Sequence, residues 1–596
     1  MTSAQKPKRV AIIGSGVSGL GASWLLAEHS PHVVTLYEQN DYIGGHTHTV
    51  DYVLPGTKNS ANPISVPVDT GFIVYNPHTY PNLIKFFCHK QIESIKTNMS
   101  FSLSRNHGEF EWAGKNLFSV FAQPSNLWNI DMWQTLYDIF RFNFHATELL
   151  ELDNEHPEKK MSLGEYLEIH QYSKAFKDNY LVPMTAAIWS TPPDKCSLDF
   201  PVSTLIQFMH NHSMLQIIDQ AQWLTVKDGS RKYVESVTPH IKDIRLSTKV
   251  VSITRRPSDP DDPNSPPLIT ITDQKGRRDE FDHVIFATHA DQALKILGDE
   301  ATEEEKLVLG NIKFAKNRAV LHSDTSLMPA RRLTHAAWNY ITTSTGSSQN
   351  TNQISLTYSM NILQSIDESI YGPVLVTLNP LWEPDPAKTF DSWIYEHPQY
   401  SAATIASQKS LPSIQNLPHL ATTFAGAWTK YGFHEDGFTS GLKVATEFLG
   451  AECPFEIIDA TYIRGRKSEL TSVQKLQKML WSGVEWSVNN SKPLAVIGIT
   501  IASVYMQHAY KIIQNHGSGS DVNQSNEPSG TPSPSATPTK TPDSGDNQKP
   551  LIIAVGVSVG IIGLIAIGTL IFCLTKRRRN KSEVEVLRIP SDNVEH

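Results

Sequence analysis

A short apolar strand that ends in a glycine-rich turn and runs straight into a helix constrains this chain more than any other feature. KRVAII, Lys8 to Ile13, reads as the strand, and Gly14-Ser15-Gly16-Val17-Ser18-Gly19 follows it at once. In the spacing GxGxxG, one glycine makes the tight turn, one lets backbone approach a pyrophosphate, and one permits close helix–strand packing. The helix LGASWLLAE comes next, with its N-terminal N–H groups toward the phosphates. A second strand, His32 to Glu38, ends on an acid 24 residues past Gly14, where a carboxylate takes ribose hydroxyls and disfavours a 2′-phosphate. A glycine-rich turn alone can be merely a turn. With strand, helix and acid around it, it specifies a dinucleotide site, either FAD or NAD.

The chain has 596 residues, too many for one compact core. Ser247 to Thr254, Leu268 to Thr272 and Phe281 to Ala287 read as later strands, with a turn at Gln274-Lys275-Gly276. Between these groups lie longer, aromatic-rich stretches that read as mostly helical, and no internal repeat is present. The pattern is a sheet domain interrupted by insertions. A net charge of −8 gives no electrostatic footprint for nucleic acid, which is not expected as a partner. Cys88, Cys196, Cys453 and Cys573 lie far apart without a CxxC pair. That argues against a disulfide framework and a zinc site and suits a reducing compartment. The N-terminus lacks the apolar core of a secretory signal, so the body is expected in the cytosol.

The C-terminal end changes character. Residues 517–549 are rich in Ser, Pro, Thr and Gly and read as a disordered linker. Leu551 to Leu574 holds no charge; as a helix it spans about 36 Å, enough for a hydrocarbon core of about 30 Å. Lys576 to Lys581, KRRRNK, follows and places that end in the cytosol. One such span would put the body outside, against the missing signal. A second apolar run, Leu494 to Met506, extended to about Gln514, offers a membrane hairpin instead; runs that short are also commonly buried or interfacial. Asn523-Gln524-Ser525 is a glycosylation acceptor only if the linker reaches a lumen.

After Glu38 come QNDYIGGHTHT, with the pair Gly44-Gly45, and then VDTGFIVYN, Val68 to Asn76. With the first motif, these stretches resemble the flavin-containing amine oxidase and phytoene desaturase superfamily over roughly residues 8–470, most strongly at 10–76, 247–292 and 421–445. WSTPP, GSRKYV, FATHADQAL and GFHEDGFTSG look most like a subgroup of bacterial and fungal predicted NAD/FAD-binding oxidoreductases. The resemblance implies an α/β fold: a Rossmann-type FAD-binding domain with an inserted α+β substrate domain, plus the C-terminal transmembrane helix. The parts fall at 1–76, 226–300 and 421–470 for FAD binding, and 77–225 and 301–420 for substrate. A helical, possibly membrane-associated segment (471–516), the linker, the span (550–575) and a basic cytosolic tail (576–596) follow.

The same resemblance implies that Gly14, Ser15, Gly16 and Gly19 cradle the pyrophosphate and Glu38 binds the adenosine ribose. Gly44 and Gly45 line the phosphate–flavin passage, Gly71 and Phe72 approach the isoalloxazine, Val250 meets the adenine, and Ala287 closes a strand returning to the cofactor. His46 stands where the family usually has arginine, and histidine cannot make arginine's forked contacts. His46-Thr47-His48 lacks a third ligand for a metal. Gly426, Asp436 and Gly437 are expected to bring a helix from about Thr439 to the flavin end. The alternative there is an ordinary capped helix, with Asp436 or Thr439 satisfying its own backbone.

Trp428, Tyr431 and His434 fall just before that helix. The two aromatics resemble the amine-oxidase cage, with core packing as the alternative, and His434 is the candidate base. No cysteine stands where some amine oxidases attach flavin, so FAD is expected to be non-covalent. Trp189, Trp338, Asn339, Tyr340 and Leu356 to Asn361 in the insertions suggest an aromatic lid over a hydrophobic substrate. Subgroup relatives are commonly associated with fatty-acyl-modifying methyltransferases, which implies a lipid substrate. The expected function is hydride removal from a lipid-like substrate by a membrane-anchored oxidase or desaturase, with oxygen or a carrier as acceptor. A flavin-binding membrane scaffold or redox sensor without turnover, and an NAD-dependent dehydrogenase, are the alternatives.

Overall fold

The computed structural model describes residues 6–460, apart from 55, 58–59, 190–197, 199, 216–220, 260, 263–264, 346–347 and 350–354, together with 478–479, 481–483 and 485–486. The linker, the span at Leu551 to Leu574 and the run at Leu494 to Met506 lie outside the described residues. Among the described residues, no helix is long and apolar enough to cross a membrane.

A parallel sheet forms around the two strands of the first motif, while the expected strands Ser247 to Thr254 and Leu268 to Thr272 fall in a separate antiparallel ribbon. The strands of the parallel sheet are β1 (Arg9–Ile13), β2 (Val33–Tyr37), β7 (Asp243–Arg245), β11 (His283–Phe286) and β17 (Thr422–Phe424), in the order β17-β11-β1-β2-β7. Every pairing is parallel. Val10 to Ile13 are all buried, because both faces are covered: Val10 and Ile12 join one apolar cluster, Ala11 and Ile13 the other. Helix α1 (Val17–His29) links β1 to β2, and β11 lies on the other side of β1. The strand order therefore reverses at β1, and crevices for ligands open beyond the strand ends at such a point.

Between β4 and β7 the chain builds helix α2 (Pro81–His89) and strands β5 (Phe101–Arg105) and β6 (Phe110–Ala113); β3 (Thr49–Val53) and β4 (Ser65–Asp69) form an antiparallel hairpin. A three-stranded antiparallel ribbon holds β8 (Val250–Pro257), β9 (Pro267–Asp273) and β10 (Arg278–Phe281). Helices α3 (Ala290–Leu297) and α4 (Glu303–Gly310) follow β11.

The stretch 301–420, assigned to the second part of the inserted α+β substrate domain, is dominated by strands. β12 (Lys313–His322), β13 (Trp338–Thr342), β14 (Ser355–Ser359), β15 (Leu375–Leu378) and β16 (Thr389–Gln399) join β5 and β6 in a seven-stranded sheet, ordered β16-β12-β15-β14-β13-β5-β6. Its central strands β14 and β15 are buried on both faces, and β15, Leu-Val-Thr-Leu, lacks the alternation that marks a half-buried strand. Asn339 shows what the interior of this sheet demands. Its side chain is fully buried, accepts from Ser102 Oγ at 2.8 Å and donates to the Ala336 and Thr357 carbonyls.

The chain divides into two compact units, Met1–Gln123 with His145–Ser468, and Pro124–Phe144 with Glu469–His596. Within the second unit the described contacts include an aromatic cluster. In the helix Ile130–His145, Tyr137, Phe140 and Phe144 place their rings 5.4, 5.5 and 5.8 Å from that of Trp481.

Candidate cofactor and active site

A cavity of about 770 Å³ opens at the carboxyl ends of the parallel strands. Its wall contains Ile13 and Gly14 after β1, Glu38 after β2, Ala287 after β11 and Gly426 beyond β17. Three helices also begin there. Gly16 and Val17 open α1, His289 and Asp291 open α3, and Phe433 and His434 open α5 (His434–Lys443). Unsatisfied N–H groups and the positive ends of three helix dipoles thus converge on one space, which favours an anionic ligand. The volume falls in the usual range of cofactor sites, about 300–1,000 Å³.

The glycine turn fits a pyrophosphate. Gly14 has φ +100°, a left-handed conformation, and a Cβ there would stand 2.7 Å from the Ala287 carbonyl oxygen. At Gly19 a Cβ would meet the Gly14 carbonyl oxygen at 1.9 Å, so this glycine lets α1 pack against the turn. Gly16 differs: a Cβ there would meet no heavy atom within 4 Å, and the residue lines the cavity. That open space is where bare backbone can face a phosphate. Gly45 also lines the cavity and presses against Gly16, a Cβ on it coming 3.1 Å from Gly16 Cα. Glu38 accepts from Ser15 N–H at 3.0 Å, Ser15 Oγ at 2.6 Å and Asn40 N–H at 2.9 Å, tying the end of β2 to the turn. Val250 lies in the same wall, and Thr248 N–H donates to the Glu38 carbonyl at 2.8 Å.

Several expected site residues stand one layer back. Gly44 does not line the cavity; its N–H donates to the Ser15 carbonyl at 3.2 Å and holds the two glycine loops together. Gly71 packs on the His46 carbonyl, 2.3 Å from where its Cβ would be, and Phe72 N–H donates to that carbonyl at 2.8 Å. The Phe72 ring lies flat on His434, with centroids 3.8 Å apart and planes 7° apart, rather than on the cavity.

Helix α5 begins at His434, five residues before the expected start. Gly437 serves helix packing: a Cβ there would meet Val17 Cγ1 at 2.6 Å, and one on Gly441 would meet the Ser18 carbonyl oxygen at 2.1 Å. These two glycines let α5 lie against α1. Asp436 is buried, lies outside the cavity wall and accepts from Phe433 N–H at 3.0 Å. It therefore caps its own helix, and burial pushes its carboxyl up to about 7. The neighbouring Glu435, also pushed to about 7 by burial, accepts from Asn82 and Leu83 N–H, both at 2.9 Å, and so anchors the start of α2 to α5.

The expected catalytic trio separates. Trp428 lines the cavity, yet it is buried and its Nε1 donates to the Thr288 carbonyl at 3.0 Å. Tyr431 is absent from the wall, its carbonyl accepting from Trp189 Nε1 at 3.2 Å and its ring lying 5.9 Å from Phe208. The two therefore do not form a cage across the cavity. His434 lines it, but Nε2 is shared with Thr47 Oγ1 and Tyr233 OH, both at 2.8 Å, and burial lowers its pKa to about 3. A histidine held neutral in this way does not exchange protons near neutrality, so it is a positioning group for α5. The expected lid residues Trp338, Asn339 and Tyr340 belong to β13 and do not line the cavity either.

The opposite wall comes from strands the sequence does not single out. β12 gives Phe314 and Lys316; β16 gives Tyr395, Glu396 and His397. The Tyr395 hydroxyl bonds Thr70 Oγ1 at 2.6 Å and His48 Nδ1 at 3.1 Å, tying this wall to the segment around Gly71. Glu396 pairs with His289 Nδ1 at 3.1 Å, and His289 holds its carboxyl below the usual range. His46 sits between, its ring centroid 5.2 Å from His397 and 6.5 Å from His289. Burial first, then His397, His289 and His434, pushes its pKa well below the usual value; burial brings His397 to about 4.

His46 and His397 give a pH prediction. An anion bound along this wall favours their protonated forms, so its binding takes up protons and its affinity rises as pH falls. FAD affinity is expected to weaken as pH rises from about 4, where His397 loses its proton in the free enzyme, with proton uptake visible by calorimetry in buffers of different ionisation enthalpy. His46→Arg, carrying a fixed charge, should flatten that dependence. A flat profile in the unaltered chain would contradict it.

Comparison with known proteins agrees with this architecture. The fold is similar to that of a redesigned putrescine oxidase, with 12% identity over 74% of this chain and 99% of that one and a TM-score of 0.50. Similar structures also include a fatty acid isomerase from P. acnes that produces CLA (14% identity, 74% and 98% covered, TM-score 0.49). A third is cyclohexylamine oxidase from Brevibacterium oxydans (15% identity, 74% and 98% covered, TM-score 0.48). No curated protein matches the sequence. The family described as flavin containing amine oxidoreductase matches residues 17–315, from the first turn of α1 through the start of β12. Half of the chain is thus accounted for by this match, and the protein is an enzyme that belongs to the flavin-containing amine oxidoreductase family.

Proposed function

We propose that the cavity holds FAD without a covalent link and that the enzyme removes hydride from a carbon of a hydrophobic, lipid-like substrate. The observation that carries the cofactor assignment is the convergence of the strand ends and three helix N-termini on a space left open at Gly16. Gly14, Ser15, Gly16 and Gly45 would hold the pyrophosphate, and Glu38 and Val250 the adenosine end. Of the cysteines, Cys88 and Cys453 fall among the described residues and neither lines the cavity, in keeping with non-covalent binding. Flavin, when bound there, would supply hydride acceptance and onward electron transfer, to oxygen or a carrier. The chain's own part is to hold the ring system, to present neutral imidazoles along one wall and to keep α5 in place through His434.

The lipid-like substrate rests on the uncharged run Leu551 to Leu574, which, paired with the apolar run Leu494 to Met506 as a hairpin, would anchor the enzyme at a membrane with its body in the cytosol. The aromatic residues of β13 lend this assignment no support, because they pack inside a sheet. The full chain, loaded with FAD under anaerobic conditions, separates the substrate classes. A long-chain acyl lipid in detergent is expected to bleach the oxidised-flavin absorbance, and a panel of short amines is not. Bleaching by the amines alone, or by neither class, would overturn the assignment.

A further inference from the structure

Away from the cavity, one cluster of ligating groups stands among the described residues. Glu28, His29 and His89 each offer one ligand atom, all within 4.8 Å of one another. The first two close the last turn of α1 and His89 closes the last turn of α2, so two helix carboxyl ends meet there. The negative ends of their dipoles favour a cation. A third imidazole adjoins, His240 Nε2 lying 3.6 Å from Glu28 Oε1. His29 Nε2 is buried and has no hydrogen-bond partner. A buried polar atom without a partner is uncommon, and a metal ion is one partner that satisfies it.

The surroundings suit neutral imidazoles. The His29 and His89 rings lie 5.6 and 5.7 Å from that of Trp24, and their own centroids are 6.0 Å apart. Lys90 Nζ, 2.5 Å away, occupies Glu28 Oε1, which leaves Oε2 for a metal.

We propose that Glu28, His29 and His89 form a site for a divalent transition metal of the zinc class, with His240 beside it. Two imidazoles and a carboxylate are a common zinc donor set, and imidazole donors select against magnesium and calcium. The sequence gives no hint of it, because the ligands come from two helix ends 60 residues apart, Glu28–His29 and His89. Its effect is a clamp. Helix α1 begins at the cavity, and α2 is held at its other end by Glu435, so a metal here would join the far ends of both.

The test uses the full chain, freed of metal by a chelator and dialysed against zinc. His89 is exposed, so His89→Ala should leave the fold intact. Unaltered protein is expected to retain one more zinc per chain than His89→Ala. Glu28→Gln should weaken that site by at least about tenfold. Zinc, and not magnesium, should raise the melting temperature of the unaltered chain and leave that of His89→Ala unchanged. Equal zinc uptake by all three proteins, or an equal rise with magnesium, would overturn the proposal.

Discussion

Replacing Gly19 by alanine is expected to abolish flavin retention and to destabilise the fold, whereas the same change at Gly16 should remove the cofactor and spare the fold. The contrast follows from what each new methyl group meets. At Gly19 it meets the Gly14 carbonyl oxygen at 1.9 Å. That neighbour is backbone, so α1 has to move off the turn, at an overpacking cost of about 1–3 kcal/mol or more. The displaced helix takes Gly16 and its N-terminal N–H groups away from the cavity. Gly16 itself has φ −63° and ψ −180°, open to any residue, and its Cβ would meet nothing within 4 Å. Its methyl group projects into the space assigned to the ligand. If the ligand bears a similar cost of about 1–3 kcal/mol, affinity falls by about 5- to 150-fold. Melting temperature and the flavin-to-protein ratio, measured on both variants, check this. Matching losses in the two would contradict it.

Arg255→Met is expected to cost about 3–5 kcal/mol, the price of leaving one member of a buried ion pair alone. The Arg255 and Glu305 side chains are 3% and 0% exposed and meet in a forked contact at 2.9 and 3.0 Å. Glu305 also accepts from Thr302 N–H at 2.9 Å, closing the first turn of α4. Removal of the arginine strands a carboxylate in an apolar setting. The site is expected to feel the loss, since β8 starts at Val250 in the cavity wall and α4 packs on α3, whose first turn lines it. The double change Arg255→Met with Glu305→Met should recover most of the stability, because two apolar side chains replace a pair that was costly to bury. Denaturant midpoints decide it. A double variant no more stable than the single one would show that the pair is not the cause.

The β1–α1–β2 unit is legible because everything that specifies it is local: a short apolar strand, three glycines at fixed spacing and an acid at the next strand end. The second half of the site is legible only in outline. Asp436-Gly437 looks like a ligand motif, yet the structure gives the acid to a helix cap and the glycine to a helix contact. Nothing local distinguishes these roles, because they depend on how α5 lies against α1. The strands of 301–420 are hidden for another reason. A strand buried on both faces, such as β15 with Leu-Val-Thr-Leu, reads as a short apolar run with no period of two. His46, His289 and His397 meet only through the fold, since no pattern in the chain links positions so far apart.

The central claim is that the space at Gly16 belongs to FAD. Its most direct measurement is the visible spectrum of the purified full chain, followed by acid release and identification of the cofactor. An oxidised-flavin spectrum is expected, with about one FAD released per chain, as a single site of this size requires. A folded, colourless protein that releases no flavin and takes none up would contradict it.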